Sequence, residues 1–294
     1  MLQLVVNADD FGFDPAINAA VAQAHEGGIL TSASLMVAGP CAEAAVAYAK
    51  AHPTLSVGLH LTLVEGTTVL PPSQLRPLTD ARGALPSGFA AFGVRLTAGG
   101  RPAARALEAE ARAQIHWLLD RGLQPTHLDS HMHTHLHPRA LEIVARLAVE
   151  YGIPFVRAPL EQWSPPETCW QAPALLARWL IFQALGRRAR RILRQRGLRT
   201  ADLAIGVLTP GRMTEAFVAG RLACLPAGLT EIFFHPAAVA DLPHMCGRAG
   251  YQHLAELQAL RSPHLRRVMA ERGIQLVGFR ELADNAVRAV NNAG

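Results

Sequence analysis

Cysteine is scarce and scattered in this chain: Cys41, Cys169, Cys224 and Cys246 form no Cys-x-x-Cys pair. That argues against a thiolate metal site and against a disulfide framework, and it fits a reducing compartment. No uninterrupted apolar run reaches the roughly 18 residues that a membrane-spanning helix needs. The opening, Met1-Leu-Gln-Leu-Val-Val-Asn-Ala-Asp-Asp10, has no basic segment and meets two carboxylates early, so it does not read as a signal peptide. The expected location is cytoplasmic, or peripheral on the inner face of a membrane. Charged residues make up only 17% of the 294 and hydrophobic ones 50%, which excludes broad disorder and supplies a sizeable core. Lysine is nearly missing as well: Lys50 is the only one, so arginine is this chain's basic residue.

The net charge of +5 is a local feature. Between Thr168 and Ala201 lie Arg178, Arg187, Arg188, Arg190, Arg191, Arg194, Arg196 and Arg199, with no acid. The rest of the chain carries 20 basic side chains against 23 acidic ones. Nucleic-acid binding would need a broad basic face interleaved with aromatic residues, and that pattern is missing.

What is abundant is histidine in one place. His127, His131, His133, His135 and His137 fall within eleven residues, with Asp129 among them. Imidazoles are poor core material and costly to bury without partners, so packing does not call for such a run. Histidine with carboxylate suits Zn²⁺ and related divalent ions.

Short apolar runs alternate with helical patterns, the βαβ rhythm of a parallel sheet. Strands are expected at 2–7, 33–38, 55–63, 126–130, 155–158, 203–208, 231–234 and 275–279. Helices are expected at 15–26, 42–51, 102–121, 138–151, 214–224 and 251–272. The stretch 71–100, rich in Pro, Gly, Ser and Thr and without clear periodicity, reads as a long loop inserted over the site. No internal repeat is visible, and a single domain over 1–294 is expected, with a basic amphipathic segment near 170–200.

Polar residues sit where the strands end. The first ends in Asp9 and Asp10, the third runs into His60, and the fourth runs into Asp129, His131 and His133. Arg157 ends the fifth and His235 the seventh. In a parallel barrel all carboxyl ends converge on one face, where active sites lie. Three protein ligands with an open position for water make a hydrolytic centre. Asp10, His60 and His131 are the expected ligands, which leaves Asp9 beside the ion to take a proton from water. Simpler roles compete: Asp9-Asp10 also suits a helix N-cap pair, and His60 by itself suits a hydrogen-bonded core histidine. His127 reads as packing or hydrogen-bonding, and His137 before Pro138 as a helix cap. His25, His52, His116, His244, His253 and His264 read as ordinary surface or core residues, and Arg157 also suits a buried ion pair.

Four ordered motifs carry a resemblance: Asn7-Ala-Asp-Asp-Phe-Gly12, Gly58-Leu-His-Leu61, Thr126-His-Leu-Asp-Ser-His-x-His133 and Phe234-His-Pro236. Together they resemble the YdjC-type carbohydrate deacetylases, the family of the chitooligosaccharide deacetylase, over nearly the whole chain. The resemblance implies an α/β fold, a distorted (β/α) TIM-like barrel of the glycoside hydrolase/deacetylase type. It implies metal-dependent removal of the acetyl group from an N-acetylated sugar. Asp10, His60 and His131 match the metal ligands, Asp9 the base and His235 the acid. His133, Asp129 and Arg157 fall in the substrate-binding or supporting shell. Thr31–Pro40, Val69–Pro72 and Gly211–Glu215 resemble the hopanoid-biosynthesis branch, which implies an N-acetylglucosaminyl hopanoid as substrate.

The segment 174–199 fits that branch on separate grounds. Apolar and aromatic residues beside a dense cationic run suit an interfacial helix on an anionic leaflet, although a solvated helix face gives the same composition. The implied partners are an N-acetylated sugar or glycolipid and an anionic membrane surface; a homo-oligomer is left open. The implied cofactor is one divalent ion, Zn²⁺ on ligand grounds, with Mg²⁺, Mn²⁺ and Co²⁺ as alternatives. Rival readings are soluble chitooligosaccharides as substrate, a two-metal phosphoesterase or another amidohydrolase, and a glycan- or lipid-binding module without turnover.

Overall fold

The structure is a computed structural model and describes residues 1–163, 173–242 and 250–291. Eight strands appear where the alternation places them: β1 Leu2–Phe11, β2 Ser32–Leu35, β3 Ser56–Leu61, β4 His127–Ser130, β5 Phe155–Val156, β6 Leu203–Ile205, β7 Gly228–Phe234 and β8 Ile274–Leu276. All pair in parallel, in the order β5-β4-β3-β2-β1-β7-β6. β8 joins β1 at Leu2–Leu4, below the stretch from Asn7 that pairs with β2. The two outer strands approach through backbone bonds, Val156 N to Arg199 O at 3.0 Å and Ala204 N to Leu160 O at 3.1 Å. The result is the expected α/β architecture, a distorted barrel.

The surrounding helices are α1 Pro15–Gly27, α2 Ala42–Ala51, α3 Gly88–Ala98, α4 Gly100–Leu119, α5 Pro138–Glu150, α6 Pro173–Gln195, α7 Glu215–Ala223, α8 His253–Leu260, α9 Pro263–Glu271 and α10 Phe279–Asn291. Their starts follow capping chemistry: Asp14 accepts from Ala16 N at 2.7 Å ahead of Pro15, and Ser262 accepts from His264 N and Leu265 N ahead of Pro263. That second cap corrects the expectation of one helix over 251–272. Pro263 has no N–H to continue α8, so the chain turns and starts α9.

The expected loop over 71–100 is corrected too. It holds a 3₁₀ turn at Pro72–Leu75 and all of α3. Phe92 and Leu96, one turn apart, are buried and hold α3 down; Gly88 and Gly93 had masked that spacing. The strand expected over 275–279 ends at Leu276, because Phe279 begins α10.

α4 carries two buried polar residues that fasten the chain after β3. Gln114 accepts from Thr62 N at 3.0 Å and donates to Thr62 O at 2.9 Å. Glu110 accepts from Val69 N at 2.8 Å and Leu70 N at 3.0 Å. The segment between Thr62 and Leu70 is therefore held at both ends over the barrel mouth. No helix among the described residues is long and apolar enough to cross a membrane.

Candidate active site

β1 runs four residues past its expected end, and the register with β2 shifts between Ala8 and Phe11. Asp10 sits in this irregularity with φ of 64°. In a regular strand, neighbouring side chains point to opposite faces; the irregularity brings both carboxylates to the barrel mouth. Asp9 and Asp10 are buried and cap no helix; Asp14 caps α1 instead.

His60 and Asp129 are direct partners across β3 and β4. His60 Nδ1 lies 2.7 Å from Asp129 Oδ1, and its Nε2 faces Asp10 Oδ1 at 3.4 Å. On the other side, His131 Nδ1 lies 3.0 Å from Asp10 Oδ1. One ligand atom each from Asp10, His60 and His131 falls within 4.8 Å of the others. A second cluster, Asp9 with His60 and Asp129, meets the same spacing. Its two carboxylates, however, already bind the Arg157 guanidinium, and it shares His60 with the first.

Directly after β4 the histidine run leaves the strand. His131–Leu136 forms a tight 3₁₀ turn in which Met132 and His133 adopt φ of 52° and 56°. The run therefore spreads in several directions. His135 hydrogen-bonds Ser130 Oγ at 2.6 Å and Arg157 O at 2.9 Å. His137 accepts from Arg139 N and caps α5. His127 packs on Phe279 with ring centroids 4.4 Å apart and hydrogen-bonds Ser34 Oγ at 3.0 Å. A Cβ on Gly58 would sit 2.5 Å from the His127 ring, so glycine is required there. Burial lowers His127 and His135 to about 4, which makes both neutral fixtures of the core.

Arg157 organises the acids. Its Nη1 and Nη2 each reach an Asp9 oxygen at 2.8 Å, Nη2 reaches Asp129 Oδ2 at 2.7 Å, and Nε donates to Glu231 Oε1 at 2.8 Å. Phe233 lies over the guanidinium at 4.3 Å and itself faces the cavity described below. Arg157 thus sits behind Asp9 and lines no part of that cavity. Asn7 steadies the same carboxylate, donating to Asp9 Oδ1 at 2.8 Å and to Ser34 Oγ at 2.9 Å. Ser34 in turn donates to Asp129 Oδ2 at 2.8 Å.

The charge count in this buried cluster does not close. Asp9, Asp10, Asp129 and Glu231 face one permanent cation, Arg157. The titrations respond to the deficit. Burial alone would lower His60, but Asp129 and Asp9 override it and raise His60 to about 10. Burial raises Glu231 to about 7 against the pull of Arg157. Asp129 is held well below the usual carboxylate range by Arg157 and His60, against its burial. A divalent cation beside Asp10 would offset that deficit, and the donor atoms of Asp10, His60 and His131 are of the types such an ion takes.

The cluster opens on a cavity of about 290 Å³. Asp9, His60 and His131 form its floor; Phe89 of α3, Arg178 and Phe182 of α6, Phe233, His235 and Tyr251 are among its walls. His235 Nε2 faces Asp9 Oδ2 at 3.9 Å, while its backbone is fixed by Glu256 and by His253 Nδ1. His133 lines the cavity with its Nδ1 buried and unpartnered, and burial lowers its pKa well below the ordinary histidine range.

Among the described residues, four non-glycine positions have positive φ: Asp10, Glu65, Met132 and His133. All four belong to the Asp10–His60–His131 cluster or to the cavity wall. Such strain concentrates where function holds a side chain in place.

The eight expected site residues meet in this one region. Sequence reasoning missed Ser34, Glu65, Arg178, Glu231 and Tyr251. Glu231 did carry a signal, a carboxylate directly before the apolar run Ile232-Phe-Phe234 of a buried strand. Of the basic segment, residues 170–172 lie outside the described ones, as does His244. The remainder forms α6, whose outward Leu176, Leu180 and Ile181 are about half exposed, at 46%, 54% and 55%.

Comparison with known proteins adds three findings. The family model described as YdjC-like protein matches residues 3–271. The chain is 34% identical over 286 residues to a carbohydrate deacetylase of Brevibacillus brevis, covering 96% of this chain and 100% of that one. It is 32% identical to a carbohydrate deacetylase of Geobacillus stearothermophilus, covering 94% and 96%, and 33% identical to one from Mus musculus, covering 96% and 95%. Among solved structures, a protein from Enterococcus faecalis described as a candidate for cellobiose-phosphate cleavage superposes with a TM-score of 0.75 at 24% identity. It covers 96% of this chain and 98% of its own, and that likeness bears on the fold alone.

Proposed function

The chain belongs to the YdjC-like family, and from that premise we propose a metal-dependent sugar N-deacetylase in which Asp10, His60 and His131 hold the ion, Asp9 is the base and His235 the acid. As a carbohydrate deacetylase it hydrolyses an acetamide carried on a sugar. The observation that carries the metal reading is the Asp10–His60–His131 cluster, buried among more carboxylates than cations and open on one side to a cavity. A bound divalent ion would polarise the acetamide carbonyl and acidify a water. Zn²⁺ suits two imidazoles and a carboxylate, with Mg²⁺, Mn²⁺ or Co²⁺ as alternatives.

The chain's own groups do the proton work. Arg157 and Asn7 fix the Asp9 carboxylate, which faces the cavity and accepts a proton from the attacking water. His235, across the floor from Asp9, delivers a proton to the departing amine nitrogen. Asp129 accepts from His60 Nδ1–H and leaves Nε2 turned toward Asp10. His133 offers the sugar a neutral imidazole, and the aromatic walls offer its apolar faces a surface.

For the acceptor we favour an N-acetylglucosaminyl hopanoid, met at an anionic leaflet. α6 supports this reading. Its inner face gives Arg178 and Phe182 to the cavity, while its outer face presents Leu176, Leu180 and Ile181, followed by Arg187, Arg188 and Arg191. A membrane under that face would lie beside the cavity. The test is acetate release by metal-loaded protein, comparing an N-acetylglucosaminyl lipid in anionic vesicles with soluble N-acetylglucosamine oligomers. Preference for the lipid supports the acceptor reading. Preference for the oligomers removes it and leaves the deacetylase. Release that does not depend on metal removes the metal centre.

A further inference from the structure

Glu65 is a carboxylate that no expectation from the sequence assigned. It lies in the segment after β3, lines the cavity, and places Oε2 3.9 Å from His131 Nε2. Its backbone is left-handed, with φ of 50°. A residue with an ordinary side chain resists that conformation, where glycine would adopt it freely and asparagine with less strain. A strained glutamate persists only when its surroundings fix it. Here they do: Gln114 holds Thr62, Glu110 holds Val69 and Leu70, and Glu65 N donates to Pro86 O at 3.2 Å. Its Oε1 lies 3.9 Å from where a Cβ on Gly88 would stand, at the first turn of α3, where backbone N–H groups favour a negative charge.

The arrangement mirrors the other imidazole. His60 turns Nε2 toward Asp10 and gives Nδ1 to Asp129; His131 turns Nδ1 toward Asp10 and leaves Nε2 toward Glu65. An imidazole that binds a metal through one nitrogen carries its proton on the other, and a carboxylate facing that proton fixes both tautomer and ring orientation. We infer that Glu65 is a positioning residue for His131, accepting its Nε2–H once the ion is bound, as Asp129 does for His60. This rests on the metal-centre reading above. It adds that the two histidines are held as opposite tautomers by two different acids, and that the strain at Glu65 serves the second.

The test is calorimetric titration of Zn²⁺ into the full chain and into E65Q, E65D, E65N and H131A, with melting of each metal-free protein. The expected result is Zn²⁺ bound about 10- to 100-fold more weakly by E65Q, with partial recovery in E65D. E65N should bind weakly too, yet melt higher than the parent without metal, since asparagine suits the left-handed backbone. A residue of purely structural value would not move those two readouts in opposite directions. At saturating Zn²⁺, E65Q should lose kcat with KM unchanged. If E65Q and E65N bind Zn²⁺ as tightly as the parent, the inference is overturned, and a raised KM in those variants would assign Glu65 to the sugar. If the parent binds Zn²⁺ no better than H131A, the metal centre fails, and the role of Glu65 fails with it.

Discussion

Two ionic networks in this molecule are built on opposite terms. On the outer face of α4 and α5, Arg112 pairs with Glu108 at 3.1 Å and with Glu150 at 2.8 Å, and Arg146 pairs with Glu108 at 2.7 Å. Two arginines meet two glutamates there, and every member is at least a quarter exposed. At the barrel mouth Arg157 meets Asp9, Asp129 and Glu231, with Asp10 and His60 beside them, all nearly inaccessible to water. The first network is balanced and solvated, so each pair contributes little. The second is unbalanced and dry, which stability alone does not select. Its excess of carboxylate is what a bound cation would offset. The contrast therefore teaches where to look for function: where buried charges fail to cancel.

The sharpest way to break this comparison is to remove the proposed ligand at its centre. Asp10→Asn should abolish Zn²⁺ binding by calorimetry and lower acetate release by at least about 10³-fold. The same change relieves carboxylate repulsion, so the metal-free variant should melt higher than the metal-free parent. A lower melting temperature would show that the deficit of positive charge is not real. Asp9→Asn separates base from ligand. It should keep Zn²⁺ and lose roughly 10²- to 10⁴-fold in turnover; near-parental turnover would remove Asp9 from the base role.

Arg157→Met leaves three buried carboxylates without their cation and should cost about 3–5 kcal/mol in denaturant unfolding. Arg112→Met should cost less than about 1 kcal/mol, and that loss should shrink further in 1 M salt. Equal costs would erase the distinction between the two networks.

The smallest expected effect is one of sign in pH. Glu231 has its folded-state pKa raised by burial from 4.5 to about 7. The stability it contributes is complete below pH 4.5 and is lost as pH rises through 7. Glu108 is lowered from 4.5 to about 2, chiefly by its hydrogen bond with Arg146. Its contribution is complete above pH 4.5 and is lost as pH falls toward 2. Melting curves across that range should therefore lose their alkaline decline in Glu231→Gln and part of their acid decline in Glu108→Gln. Variants that leave both flanks unchanged would mean that neither network titrates with folding.

Much of this was legible in the sequence because the signals were local. Most strands centre on short apolar runs, and the polar residues at their ends follow directly from them; β4, His-Leu-Asp-Ser, is marked instead by the histidine run. His137 before Pro138 reads as a cap from two adjacent residues, and it is one. What stayed hidden depends on distant partners. Arg157 marks a strand end, but nothing in its neighbourhood says that it turns away from the cavity to hold Asp9, 148 residues earlier. Glu65 looks like any acid in a polar loop until Gln114 and Glu110 fix that loop. α3 was missed because its glycines interrupt the spacing of Phe92 and Leu96, and the break between α8 and α9 because Pro263 was read through.

The pairing of β1 has a consequence in time. Asp9 and Asp10 lie on β1, which is synthesised ahead of the other strands of this sheet, and one long edge of β1 pairs along its length with β7, which begins at Gly228. At translation rates of about 5–20 residues per second, that edge waits on the order of ten to forty seconds for its partner. For that interval a ribosome-bound chain carries both aspartates and, later, the histidines, but not His235, and its earliest strand shows unpaired backbone along one side. The nascent protein is most open to wrong pairing in that window, and β1 and β7 must find each other before the cavity is complete.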